Sequence, residues 1–363
     1  MEVERLWFER LREKRLLLAK QLKDPAASGL WRSVVDKYSD DAHFLYELLQ
    51  NADDVLAENV RVFVEKDHIE FIHDGKIQFT ITNPDEECEE NRSAMGHINA
   101  ITSIGFSNKN GEGKIGKFGV GFKSVFKYSD RPHIEDDRFS FVLEDYIVPS
   151  MTSRICLHRH GGETGFYLPI ADPENDLPII WKKCESLVNP LLFLNHVRSL
   201  AFISGENEVA YSKKTNLVKD WDGLKCEFVD QTNPDASRRF FYQISEETDD
   251  KGGKISCVFR ANPDGGLKAE KEKSPLFSYF ATSHFLNVNY LLHAPFLLTE
   301  NRERLKVDDD SIPWNEKLMK RLGVLVVRGL QLLAMCRTKS DNLIVTPIVP
   351  TLLKIDNFWT MIK

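Results

Sequence analysis

The chain has 363 residues, 42% hydrophobic and 28% charged, with a net charge of −7 and a pI of about 5.9. That length exceeds one ordinary compact core, so two domains are expected. The acidic balance argues against a mainly electrostatic grip on nucleic acid. No run of 18 apolar residues predicts a membrane span, and the N-terminus lacks the pattern of a secretory signal, so a cytoplasmic protein is expected.

Residues 3–22 set Leu6, Trp7, Leu11, Leu17, Leu18 and Leu22 among Arg, Lys and Glu, which predicts an amphipathic helix. Pro25 to Gly29 ends it. A second helix is expected from near Ser39, with Asp40 or Asp41 as N-cap, to about Glu58. Val60, Val62 and Val64 alternate with polar residues, as do Ile69 and Phe71, which is a β-hairpin pattern. Residues 83–117 are poor in apolar side chains and then rich in glycine. A connection this long inside a compact domain is expected to be a functional lid. Gly121 to Tyr128 can open a helix, and 138–143 and 164–168 read as strands.

Asp172-Pro173-Glu174-Asn175-Asp176 and Pro178 read as a loop, which places a boundary between about 170 and 190. Strand-like runs follow at 225–230, 239–245, 254–261 and 290–294, and an amphipathic helix at 313–337. They predict an α+β unit with its own core. The expected organisation is a helical extension at 1–38, a first domain at 39–175, a second at 185–338, and a tail or the start of a further region at 339–363.

The six cysteines, at 88, 156, 184, 226, 257 and 336, include no Cys-x-x-Cys pair and read as scattered reduced thiols. His158 and His160 form a lone His-x-His, for which a surface or strand role is expected.

The helix at 42–56 has two faces. Leu45, Leu49, Ala52 and Leu56 share one, and Glu47, Asn51 and Asp54 share the opposite one. An ordinary solvated face is one reading of that polar stripe. The other is a functional one, because the stripe carries no cation and its oxygens suit Mg²⁺. A carboxylate one turn away can orient and deprotonate water.

Residues 105–124 contain near-matches to two phosphate-binding patterns. Gly111-x-Gly113-x-x-Gly116 lacks the preceding strand of a dinucleotide fingerprint, and Gly111-x-x-x-x-Gly116-Lys117 is followed by Phe118 rather than Ser or Thr. The third reading uses Gly116, Gly119 and Gly121 ahead of a helix, with Lys123 as a cation and Phe118, Val120 and Phe122 packing the turn.

These pieces, in this order, resemble the GHKL ATPase superfamily, in its heat-shock-chaperone-like, sacsin-like branch. Glu47-Leu-Leu-Gln-Asn51-Ala-Asp-Asp54 resembles the first motif, which implies Glu47 as general base, Asn51 as ligand to Mg²⁺ and Asp54 as a further nucleotide-site position. Asp74-Gly75 resembles the second motif, although the usual second glycine is absent and Phe79 follows. The resemblance implies an adenine contact at Asp74. The run Gly116, Lys117, Phe118, Gly119, Val120, Gly121, Phe122, Lys123 resembles the third motif, which binds phosphates through backbone amides. Thr164 matches a threonine that helps hold adenine through water, and Arg302 is the candidate for a γ-phosphate contact, with Arg304 behind it and a surface ion pair as the alternative role.

The fold implied is α+β: a two-layer α/β sandwich of the GHKL (Bergerat) type, then a transducer-like α+β domain. The function implied is Mg²⁺-dependent ATP binding and hydrolysis driving a conformational switch, with an ATP-dependent homodimer, in a chaperone-like protein or in a larger machine such as bacterial defence. A non-hydrolysing nucleotide scaffold is the alternative. A protein-histidine kinase is a further one, though residues 1–38 contain no His to accept phosphate.

Overall fold

The computed structural model describes residues 2–23, 43–88, 90–91, 94–103, 121–248, 253–268, 273–299, 304–308 and 311–336. The expected caps Asp40 and Asp41, the break at 25–29 and the tail at 339–363 lie outside them. The chain forms two compact units, residues 1–187 with 195–210, and residues 188–194 with 211–363.

In the first unit, helix α1 spans Glu2–Leu22 and buries Phe8, Leu11, Arg15 and Ala19, an i, i+3, i+7, i+11 stripe that matches the helical period. Phe8 packs edge-on to Phe141, with centroids 5.8 Å apart. Helix α2 spans Phe44–Asp54 and ends where Leu56 turns to φ +63°. The predicted hairpin is β1, Asn59–Val64, against β2, His68–His73, antiparallel with Val62 opposite Phe71. A short helix α3 covers His97–Ile101, and Gly121–Lys127 forms a 3-10 helix. Strands β3 (His133–Glu135), β4 (Ser140–Glu144), β5 (Val148–Met151) and β6 (Thr164–Pro169) follow.

Residues 172–178, expected as a loop, begin helix α4, Pro173–Glu185. Pro173 stands in the first turn, where proline's missing N–H costs nothing, and Ile180 and Cys184 bury one face. Strand β7, Ser199–Ser204, lies parallel to β1, with Val62 opposite Phe202.

The remaining strands are β8 (Asn207–Trp221), β9 (Leu224–Thr232), β10 (Arg238–Glu247), β11 (Lys254–Ala261), β12 (Ser274–Ser278), β13 (Phe280–Leu286) and β14 (Leu291–His293). Helix α5, Ile312–Met335, completes the second unit. Its Leu318, Leu322, Leu325, Val326 and Leu332 join Cys226, Ile244, Ile255 and Cys257 in one apolar cluster. Gly329 allows that approach, because a Cβ there would meet Cys257 Sγ and Ile244 Cδ1 at 3.1 Å.

The expected fold class is corrected by the strand order. In place of a two-layer GHKL-type sandwich followed by a separate transducer-like domain, the strands form one 14-stranded mixed sheet, β13-β12-β14-β11-β10-β9-β8-β7-β1-β2-β6-β3-β4-β5. The cause is local. Strand β1 is not an edge, since it carries β2 on one side and β7 on the other. The 15-residue β8, absent from the sequence prediction, extends the ladder onward.

Candidate functional site

Helix α2 is buried on both faces. Leu45, Leu49 and Ala52 are inaccessible on the apolar side, yet Glu47 is 1% and Asn51 5% exposed on the other. The polar stripe is therefore no solvated face. Burying a carboxylate and an amide costs several kcal/mol unless their atoms find partners. Glu47 Oε1 lies 3.5 Å from His43 Nε2, one turn earlier. Asn51 Oδ1 is buried with no hydrogen-bond partner among the described residues, and Asn51 lines a cleft.

The glycine turn meets this helix at Gly121. A Cβ at Gly121 would stand 1.6 Å from Glu47 Oε2 and 2.4 Å from its Cδ, so the carboxylate rests directly on this backbone. No other residue type leaves that room. Gly75 is equally enclosed, since its Cβ would meet Val55 Cγ2 at 2.5 Å and His73 Nδ1 at 2.8 Å.

The cleft is a narrow one, lined by Asn51, Val55, His73, Ile77, Gln78, Phe79, His97, Thr164 and Phe166. His73 and Thr164 are direct cross-strand partners in the β2/β6 pair, so they stand side by side on one face of the sheet. Gly75 N–H donates to His73 Nδ1 at 3.1 Å. Burial pushes the His73 imidazole down to about 4, although the negative charge of Asp74 acts the other way. His97 Nδ1 pairs with Thr80 Oγ1 at 2.8 Å, and its ring meets Phe79 edge-on.

Asn51, Gly121 and Thr164 thus lie in or beside the region containing Glu47 and the cleft. Asp74 does not line the cleft. Its Oδ1 accepts from Glu58 N–H and Asn59 N–H, both at 2.8 Å, and its Oδ2 from Asn59 Nδ2 at 2.6 Å. Burial alone would raise this carboxyl, but the hydrogen bonds from Asn59 and Glu58 hold it below its ordinary value. Asp54 is half-buried at the last position of α2.

Phe122 is buried against Phe126 and Phe166. Lys123 is enclosed, and its Nζ donates to Ile101 O at 2.6 Å and Tyr146 O at 2.7 Å. Desolvation, with the neighbouring Arg15 charge, pushes it down to about 7. It is a strut between α3 and the turn before β5. Gly116, Lys117, Phe118, Gly119, Val120 and Arg302 lie outside the described residues.

Asp53, next to the predicted stripe, was not singled out by sequence. It is inaccessible and takes three backbone N–H groups, from Asn195, His196 and Val197, at 2.7–2.9 Å. It pins the approach to β7. His73 was also missed, although the alternation that put Ile69 and Phe71 on one face extends to it. His158 is accounted for by the sheet: it stacks on Phe63 at 3.8 Å and pairs with Glu70 Oε2 at 3.1 Å. Among the described residues no helix is long and apolar enough to cross a membrane.

Residues 28–152 match the family model described as Sacsin domain, a span that includes α2, the β1/β2 hairpin and Gly121. The chain is also 29% identical, over 336 residues, to Protein NO VEIN of Arabidopsis thaliana. That match takes in 84% of this chain and 12% of the plant protein, so the chain spans a small part of the relative's length. The segment similar to the Sacsin domain, residues 28–152, is the one that carries Glu47 and Asn51.

Proposed function

We propose that the chain binds ATP with Mg²⁺ and hydrolyses it, and that turnover drives a conformational switch in a chaperone-like, sacsin-like protein. One observation carries the reading: an acid and an amide one helical turn apart, Glu47 and Asn51, are both buried, with the carboxylate against Gly121 and the amide oxygen unpartnered beside a cleft. A buried unsatisfied carbonyl costs about 1–3 kcal/mol, which a ligand to it recovers.

Asn51 Oδ1 fits a hard cation that keeps several waters, and Asn51 would hold Mg²⁺. Bound there with ATP, Mg²⁺ would neutralise charge developing on the phosphates. Glu47 serves as the proton acceptor and positioner for the attacking water, with His43 behind it. The backbone of the glycine turn, ending at Gly121, stabilises the phosphate charge.

In this reading the segment from about 83 to 117 closes over ATP. Its described base is held by α1: Lys14 Nζ donates to Pro84 O at 2.6 Å, and Arg15 Nη2 meets Glu87 Oε1 at 2.8 Å. Closure of this segment on ATP brings two copies of the chain together, which light scattering with a non-hydrolysable ATP analogue measures.

The test of the chemistry is Glu47→Gln. ATP binding should persist while phosphate release falls by about 10²-fold or more. Phosphate release at the wild-type rate in this variant would remove Glu47 from the reaction. Asn51→Ala should lose the Mg²⁺ dependence of nucleotide binding.

A further inference from the structure

We propose that Cys226 and Cys336 form an oxidisable pair: a hydroperoxide converts the two thiols into a disulfide that fastens the last turn of α5 to strand β9, and a thiol reductant reverses it. The inference is independent of the nucleotide reading and concerns the second unit alone.

The cysteines are spread along the sequence, but the fold gathers three of them. Cys226 on β9, Ile244 on β10 and Cys257 on β11 are register partners, so they form one row across adjacent strands with side chains on the same face. That face carries α5. The helix crosses the row. Cys257 Sγ donates to Leu325 O at 3.9 Å, and a Cβ at Gly329 would meet Cys257 Sγ and Ile244 Cδ1 at 3.1 Å. Cys336, the C-cap of α5, comes seven residues after Gly329. That is a rise of about 10 Å, close to two strand spacings. The helix end therefore reaches the β9 side of the row. There Cys336 packs on the same apolar cluster, and the Cys226 and Cys336 thiols share a hydrogen bond. Cys257 is the wrong partner, because it is tied to Leu325, about 16 Å back along the helix.

Access sets the order of events. Cys226 is inaccessible, and burial, with the neighbouring Cys336 adding to it, pushes its thiol up to about 12. Cys336 is half-buried, so it is the sulfur that a peroxide reaches. Its attack on hydrogen peroxide breaks the O–O bond, releases one water and leaves a sulfenic acid. The Cys226 sulfur then attacks the Cys336 sulfur. The S–S bond forms, the S–O bond breaks, and hydroxide leaves with the Cys226 proton as a second water. Two thiols are oxidised and one peroxide is reduced to two waters. Cys226 ionises poorly, but its sulfur is already in place, and proximity offsets that handicap. Helix ends are the first part of a helix to open, so a bond at the C-cap secures the weakest turn of α5.

The experiment treats the full chain with hydrogen peroxide, alkylates the thiols that remain, and maps the unreduced peptides by mass spectrometry. Exposed Cys88 gauges the oxidation. A linked pair of peptides carrying Cys226 and Cys336 should appear, lighter by two hydrogens than the free peptides together, and should vanish on adding dithiothreitol. Cys336→Ser should abolish the link and Cys257→Ser should leave it. Cys226→Ser should leave Cys336 as a sulfenic acid that dimedone captures. Because serine at buried 226 or 257 can unfold the chain, a second measurement uses the wild type alone. Amide hydrogen exchange across 330–336 should slow by about tenfold or more on oxidation, while 312–318 stays unchanged. Oxidised Cys88 without a 226–336 link, a link from Cys336 to any other cysteine, a link found only between two chains, or unchanged exchange at 330–336 in the linked protein overturns the proposal.

Discussion

Gly121→Ala is a small change whose cost is worked from one distance. The new Cβ would stand 1.6 Å from Glu47 Oε2, whereas ordinary contact begins near 3.4 Å. The Glu47 carboxylate, 1% exposed, has to retreat by about 1.8 Å inside a packed helix–turn contact. Overpacking of this kind costs about 1–3 kcal/mol. For a unit of this size that is roughly 2–12 °C of melting temperature. A misplacement of about 1 Å at a reacting group costs about 10²-fold in rate, so phosphate release should fall by at least that factor. The control is Gly161→Ala, where a Cβ meets nothing within 4 Å and both melting and turnover should be unchanged. The decisive measurement is a double-mutant cycle by thermal melting. In a Glu47→Ala background the obstruction is gone, so Gly121→Ala should become nearly neutral, with a coupling energy as large as its cost in wild type. Additive losses would refute the contact between the glycine turn and the acid.

Three further outcomes follow from the same geometry. Asp53→Ala leaves three backbone N–H groups at 195–197 without their acceptor and should cost about 3 kcal/mol or more in chemical denaturation. A loss under 1 kcal/mol would mean that water replaces the carboxylate. His73 has a folded value of about 4 against 6.5 unfolded, so between those pH values the unfolded chain holds the extra proton. Stability should therefore fall as pH drops from about 6.5 to 4, by an amount on the order of 3 kcal/mol, and His73→Gln should flatten that limb. Arg15→Met breaks the largely buried pair with Glu87 and the contact with Thr102 Oγ1. It should make residues 84–103 cleavable in limited proteolysis several-fold faster than in wild type.

The sequence made the local elements legible wherever an apolar period was strong. Helix α1, the β1/β2 hairpin and α5 follow from spacing alone, because one buried face per element dictates it. Strand β8 was not legible. Only Val209, Tyr211 and Lys213 alternate inward, and the rest of its 15 residues are mostly exposed or half-exposed. Backbone pairing with β9 holds it, and a hydrogen-bond ladder leaves little mark on side-chain hydropathy. For the same reason the continuous sheet could not be read from the chain. Parallel pairing of β1 with β7 joins residues about 140 positions apart, a separation that no local pattern encodes. In the site, the periodic stripe on α2 was legible, while its burial was not. That burial depends on Gly121, which comes from a different stretch of chain. At the end of β2, strand parity puts His73 on the face of Phe71 and opposite Thr164, while Asp74 accepts from residues 58 and 59, a placement that no local pattern in the sequence encodes.

Charge decides how the remaining parts of the site must work. The cleft lining carries amide, hydroxyl, imidazole and apolar groups, with no lysine or arginine among its described residues. Lys123, two residues after Gly121, spends its donors on Ile101 O and Tyr146 O and is buried. A triphosphate brings several negative charges, and hydrogen bonds from backbone amides neutralise only part of them. In the proposed reaction the balance falls on Mg²⁺ at Asn51 and on Lys117 and Arg302, which lie outside the described residues. Two signatures separate these from the buried strut. Lys117→Ala and Arg302→Ala should lower phosphate release by about 10-fold or more while leaving the melting temperature near wild type. Lys123→Met should change melting first, because its role is to join two carbonyls within the core. If Lys123→Met instead abolished turnover at an unchanged melting temperature, its ammonium would belong to the phosphate site and the enclosed strut would be the wrong description.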